Sequence, residues 1–293
     1  MPLYPQGGGL YPNSIDNVLL ADMAEATVKG RAVGAGAGDP QDLTTAQLHA
    51  VLGTSFAQCR FVYANSSTMR LQRFGGKLLT INDRPEVIPA AGVDLTVVAG
   101  HGLVNPLYIY AYMNAGVMTL LGQVTGPIAD PRNGMPVLNS GGGEILTLVG
   151  MAYVSAGPTM IENAANQACS SYWNRLPRSY YGSVSNVSTS STTLVGLGGA
   201  IKMITWGDSA YQIHATGYGQ LNAPGVTVNQ LLADGSAASA IAVAYYPVGN
   251  AQYPTPLSFI SASADGLHSF QFGGNVSAGS ATFNAALHAT VMG

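Results

Sequence analysis

Two short stretches, Trp206-Gly207-Asp208 and Gln252-Tyr253-Pro254, set an aromatic ring in a loop-like context. A sugar offers an apolar face to such a ring and hydroxyls to a neighbouring carboxylate. Trp206, Asp208 and Tyr253 are therefore the candidate glycan contacts, with the two rings stacking and Asp208 accepting hydroxyl hydrogen bonds. The same rings suit a core or a subunit interface equally well in chemical terms. That alternative also applies to Tyr180, Tyr181, Tyr211, Tyr218, Tyr245 and Tyr246 of the same section.

Signatures of turnover are sparse. Asp208, Asp234 and Asp265 fall at expected turns, where Asp bonds backbone amides. Spacing along the chain defines no pair of carboxylates held across a glycosidic bond. There is no G-x-S-x-G elbow and no Cys/His pairing that reads as a nucleophilic site. His49, His101, His214, His268 and His288 show neither H-E-x-x-H nor any ligand spacing in sequence, so each reads as structural or solvent-facing and no metal or other cofactor is expected. Cys59 and Cys169 form no C-x-x-C pair and read as free thiols. Gly34-Ala35-Gly36-Ala37-Gly38 lacks the spacing of a dinucleotide fingerprint and reads as a linker, either flexible or tightly turning. Gly75-Gly76-Lys77 lacks the remainder of a Walker loop and reads as a turn.

The elements that would position these residues are β-strands. Charged residues are only 9% of the 293-residue chain and apolar ones 47%, against roughly 25% charged in a typical soluble protein. Such a surface is solvated by hydroxyls and amides or covered by partners, which favours a subunit of a large assembly. A net charge of −3 with no Lys/Arg run argues against nucleic-acid binding. Apolar runs such as Ile241–Tyr246 fall far short of the ~18 residues of a membrane helix, so no membrane insertion is expected. Met1-Pro2-Leu3-Tyr4-Pro5 has neither the charged nor the apolar region of a secretory signal.

Three regions are expected. Residues 1–58 open with a Pro/Gly-rich arm and carry one short helix over 44–53, with Thr44 as cap, Gln47 completing a capping box and Gly53 closing it. Residues 59–177 form a β module, with candidate strands 69–74, 77–81, 86–88, 95–98, 107–113, 117–124 and 145–154. Residues 178–293 form a second β module, expected as a β-sandwich or jelly roll. Its eight candidate strands are 179–187, 200–206, 211–218, 226–232, 240–246, 256–263, 266–272 and 279–291, with Asp234-Gly235 and Asp265-Gly266 as turn dipeptides.

The stretch Leu20-Ala21-Asp22-Met23-Ala24-Glu25-Ala26-Thr27-Val28-Lys29-Gly30-Arg31, followed by Asp42-Leu43-Thr44-Thr45-Ala46-Gln47, resembles a segment recurrent in tail-fibre and related appendage proteins of tailed bacteriophages. Tyr108-Ile109-Tyr110-Ala111-Tyr112, the Leu148-Val149-Gly150-Met151 step and Ser171-Tyr172-Trp173-Asn174-Arg175 are similar to a β module of such proteins. The resemblance spans roughly residues 20–178 and stops there. It implies a non-enzymatic virion protein, assembled in the bacterial cytoplasm and released by lysis. Residues 1–58 would dock to tail, baseplate or neck proteins, 59–177 would act as spacer, and 178–293 would meet a host-surface glycan or other receptor. A homotrimer is implied, in which one histidine per chain could build an axial metal site by symmetry. Alternatives within the same logic are a collar, baseplate or head fibre with a structural role only. From another class, the alternative is a surface-polysaccharide depolymerase.

Overall fold

The computed structural model describes residues 28–32, 34–37, 40–43, 47–48, 51, 55–101, 106–131, 133–139, 145–155, 157, 159–238, 241–262 and 264–291. The chain is mainly β, divided among several sheets, and residues 1–54 and 55–293 form two compact units. Among the described residues no helix is long and apolar enough to cross a membrane.

In the first unit, Val28–Gly30 pairs antiparallel with Gln41–Leu43, and Lys29 bridges Asp42 at 3.1 Å. Residues 34–37 of the Gly-rich stretch lie in the loop of this hairpin. Gly34 and Gly36 take positive φ of 82° and 67°, and the Arg31 Nε donates to the Gly36 carbonyl at 3.0 Å. The arm of residues 1–27 lies outside the described residues. So does most of the segment expected as a helix over 44–53; Gln47, Leu48 and Val51 are described there, too few to delineate an element. One 3-10 turn, Ala99–His101, is the helical element delineated among the described residues.

In residues 55–177, Cys59–Asn65, Thr68–Arg73 and Val93–Thr96 form one antiparallel sheet, and a hairpin of Leu78–Ile81 and Arg84–Val87 is bonded to residues 56–58 that lead into it. The largest sheet here centres on Ile145–Ala152, flanked by Leu107–Asn114 and Pro136–Asn139. Cys59–Asn65 was not among the expected strands, although Cys59 and Phe61 alternate into a core with Met69, Leu71, Ile109 and Val149.

From residue 178 onward two antiparallel sheets share one hydrophobic cluster that includes Tyr180, Ile213, Leu231, Phe270, Phe272 and Phe283. One sheet sets Ala281–Val291 between Arg178–Thr189 and Ala210–Leu221, with Gln252–Pro254 and Leu257–Ala262 on the far edge of Ala210–Leu221. The other sets Gly266–Val276 between Ile201–Thr205 and Gly225–Ala233, with Ala242–Tyr246 beyond. All eight expected strands of this region are present, and in Ala210–Leu221, Gly225–Ala233 and Ala281–Val291 alternation follows one buried face. Asp234-Gly235 forms the two-residue turn between Gly225–Ala233 and Ser236–Ala237, with φ of 49° and 80° as a type I′ turn requires.

No ladder of named strands joins residues before 177 to those after it. Instead, residues 164–167 run beside Ile201–Thr205: Lys202 N donates to Ala165 O and Gln167 N to Lys202 O, each at 2.8 Å. The buried Gln167 side chain accepts from Ile204 N at 2.9 Å and donates to Cys169 O at 3.1 Å. A third apolar cluster sets Tyr108, Tyr110, Leu148 and Met151 against Ile204 and Trp206.

Cys59 and Cys169 are both free and fully buried, and burial pushes each thiol up to about 12. Since the thiolate is the reactive form, native chain at pH 8 should resist Ellman's reagent over the time in which guanidinium-unfolded chain titrates both thiols. Immediate labelling of the native protein would contradict this core.

Candidate functional site

Trp206 follows directly on the strand Ile201–Thr205, and Ser209 N closes a turn back to its carbonyl at 2.8 Å. Asp265 caps the same turn by accepting from Gly207 N at 2.7 Å, while its other oxygen accepts from Tyr108 OH at 3.2 Å. The backbone is thus a loop, as the sequence suggests, but the ring is not at its surface. Trp206 is 2% exposed, meets Tyr172 edge to face at 5.0 Å and donates its Nε1–H to Ser170 Oγ at 3.0 Å. The expectation of an open stacking face at Trp206 is corrected: residues from the preceding region, absent from its local sequence, cover it.

The Ser171-Tyr172-Trp173-Asn174-Arg175 motif builds the wall beside this ring. Ser171 Oγ accepts from Phe61 N at 3.0 Å, and Trp173 Nε1 donates to Leu148 O at 2.8 Å. Asn174, at φ 53°, donates to both Ala57 O and Cys59 O at 2.8 Å. Arg175 lies over the Tyr172 and Trp206 rings at 5.1 and 5.3 Å and grips Asp208 with two bonds, Nη1 to Oδ1 at 2.5 Å and Nη2 to Oδ2 at 3.1 Å. Two further donors reach Ser209 Oγ and the Tyr172 carbonyl.

Of these groups Ser170, Ser171, Asn174, Arg175, Trp206 and Ser209 border a small open cleft that also receives Arg60 and Arg178. Arg178 is paired with Glu162 at 2.7 Å. Arg60 lies 3.6 Å over the Phe74 ring and spends its Nε–H on the Asn174 carbonyl at 3.1 Å, with no carboxylate bridged to it among the described residues. Guanidinium, amide and hydroxyl groups line the cleft, and most of their donors are already bonded within the protein. Outside this lining, Asp208 accepts the two Arg175 bonds, which hold its carboxyl below the usual carboxylate range, so it stays ionised and is poorly suited to act as a general acid.

Tyr253 is elsewhere. It pairs with Gly219, nine residues along the strand Ala210–Leu221 from the end next to Ser209, about 30 Å away at ~3.3 Å per residue. It is half-buried and meets Tyr246 edge to face at 4.8 Å. The structure thus brings Trp206 and Asp208 together and separates Tyr253 from both.

The histidines, isolated in sequence, are not all isolated in space. Register sets His214 directly opposite His288, and Tyr181 directly opposite His288 on its other side. Tyr181, 58% exposed, stacks on the His288 ring at 4.6 Å and 19°. Sequence reasoning missed this row because each member comes from a different strand. Among the described residues no three His, Cys, Asp or Glu side chains converge as metal ligands would.

No protein-family model and no curated protein matches the chain. Among solved structures it is similar to the infectious bursal disease virus VP2 subviral particle, at 12% identity and TM-score 0.32, over 87% of this chain and 60% of that one. It is also similar to the insecticidal delta-endotoxin Cry8Ea1 from Bacillus thuringiensis, at 7% identity and TM-score 0.30, over 91% and 59%. A Bacillus thuringiensis Cry1Da tryptic core variant follows at 9% and 0.23, over 82% and 54%. The chain thus spans less than two thirds of each of these chains, and scores this low carry no functional argument.

Two variants test the cleft. Trp206→Ala should destabilise by ~3–5 kcal/mol in denaturant unfolding, as a buried ring does and an exposed one does not. Asp208 is exposed, so Asp208→Asn should cost no more than about 1 kcal/mol at pH 7. Because the folded-state pKa is depressed, the pair stabilises above the ordinary carboxylate pKa and is lost as pH falls through the folded value. Variant and parent should therefore converge near the acid limit, and a difference that persists there would assign the effect to something other than charge.

Proposed function

We propose that the chain is a tail fibre or closely related virion appendage of a tailed bacteriophage, attaching the particle to the host surface by multivalent, non-catalytic binding. The resemblance over roughly residues 20–178 supports the virion assignment, with residues 1–58 as docking region and 59–177 as spacer. The two sheets that share the Tyr180 to Ala289 cluster are read as a β-sandwich presenting the binding surface.

One observation carries the binding half of this reading. On the outward face of the sheet centred on Ala281–Val291, register aligns Tyr181, His288, His214 and Ser258 in one row. Ser179, Thr290, Gln212 and Ile260 form the next. Thr216, Tyr218 and Gln220 continue along Ala210–Leu221. None of these positions carries Asp, Glu, Lys or Arg. A flat array of hydroxyls, amides and exposed rings matches a glycan, whose many weak contacts gain strength through repetition on one particle. Tyr181 takes the stacking role that the buried Trp206 cannot fill.

A homotrimer fits a second surface. Val243 and Tyr245 are 63% and 67% exposed on Ala242–Tyr246, a strand bonded to Gly225–Ala233 with no second ladder among the described residues. An apolar edge of this kind calls for cover.

Tyr181→Ala should reduce adsorption of whole particles to host cells while leaving the melting temperature nearly unchanged; unaltered adsorption removes the row from the site. Light scattering on the purified chain should give three times the chain mass, and Val243→Glu with Tyr245→Glu should lower it. A stable wild-type monomer at micromolar concentration, with no larger species on the virion, would sink the trimer.

A further inference from the structure

We infer that His214 and His288 form a two-imidazole site for a divalent first-row transition ion of the zinc, nickel or copper class. The argument is independent of the proposed attachment role. The two histidines are directly opposed on adjacent antiparallel strands, so their Cβ atoms stand about 4.5–5.5 Å apart and both side chains leave the same face. Two nitrogens bound to one zinc ion at ~2.0–2.1 Å need to approach within roughly 3.3 Å of each other. Side-chain rotation brings imidazoles on that spacing into range. Imidazole is a ligand these ions share, and ordinary carboxylate competitors are missing from the face.

Two further observations point to a ligand. His288 Nε2 is buried and has no hydrogen-bond partner, a state that buried polar nitrogens rarely occupy. Coordination would satisfy it. The His288 ring is also fixed by the Tyr181 stack, so one of the two ligands is already ordered before the ion arrives. His214, by contrast, is exposed and free to swing onto an ion held at His288. Ser258, opposite His214 on its other side, leaves the flank small and open to water, which supplies the remaining coordination positions.

The test is calorimetric titration of the untagged full-length chain with zinc and nickel salts, with wild type, His214→Ala, His288→Ala and, as a control remote in sequence, His101→Ala. Wild type and the control should take up a single ion per chain saturably. Each of the other variants should bind more weakly by roughly a hundredfold, since loss of one ligand removes an intramolecular contact. His214 is exposed, so its replacement leaves packing intact and decides the matter even if His288→Ala fails to fold. Absence of saturable binding at millimolar metal, or wild-type affinity in His214→Ala, would overturn the site.

Discussion

The strand Ala281–Val291 is hydrogen-bonded along nearly its whole length on both edges, to Arg178–Thr189 on one side and to Ala210–Leu221 on the other. That double ladder is the constraint from which the rest of the final region follows. It joins the first and last strands of the region, so the sheet cannot form until the chain has closed on itself. Its inward residues, Phe283, Ala285, Leu287 and Ala289, fill the core. Its outward residues fix the rows of hydroxyl, amide and imidazole groups. Gly219 and Gly274 pack close to Phe283: a Cβ at either would stand 3.1–3.2 Å from the ring, and nearer still to the Tyr246 hydroxyl or to Leu197.

A smaller constraint joins this region to the one before it. Gln167 gives its amide to both sides of the junction, and Trp206 inserts into an apolar cluster made largely by Tyr108, Tyr110, Leu148 and Met151. The cleft beside Trp206 exists because two separately built sheets meet there. Two of its arginines, Arg175 and Arg178, are kept in place by Asp208 and Glu162, and Trp206, which belongs to the joint, lines it.

Several strands of the final region, Ala210–Leu221, Gly225–Ala233 and Ala281–Val291 among them, were legible because buried and outward residues alternate along them, a pattern local to the strand. The Asp234-Gly235 turn was legible for the same reason: its chemistry is contained in two residues. Pairing was not. Nothing near His214 in sequence indicates that His288 will stand opposite it, and nothing near Trp206 indicates that Tyr172 and Ser170 will cover its ring. Gly207 and Asp208 correctly marked a turn, but a turn constrains the backbone and leaves open what packs on the side chain. Cys59–Asn65 was missed although Cys59 and Phe61 alternate, since apolar Val62 and Ala64 at the outward positions blur the pattern.

The closure of the final region also sets how it bears load. Arg178 is registered with Val291 and Thr189 with Ala281, so the two strands lie antiparallel over ten registered pairs. A pull along the strand axis, entering at Arg178 and resisted by groups on Ala281–Val291, strains all of those pairs together, in shear. A pull applied across the strands at one end strains them one after another, as a zipper opens. The same ladder is therefore stiff to tension along its length and yielding to a sideways peel, and the direction from which force arrives decides which of the two a bound partner feels.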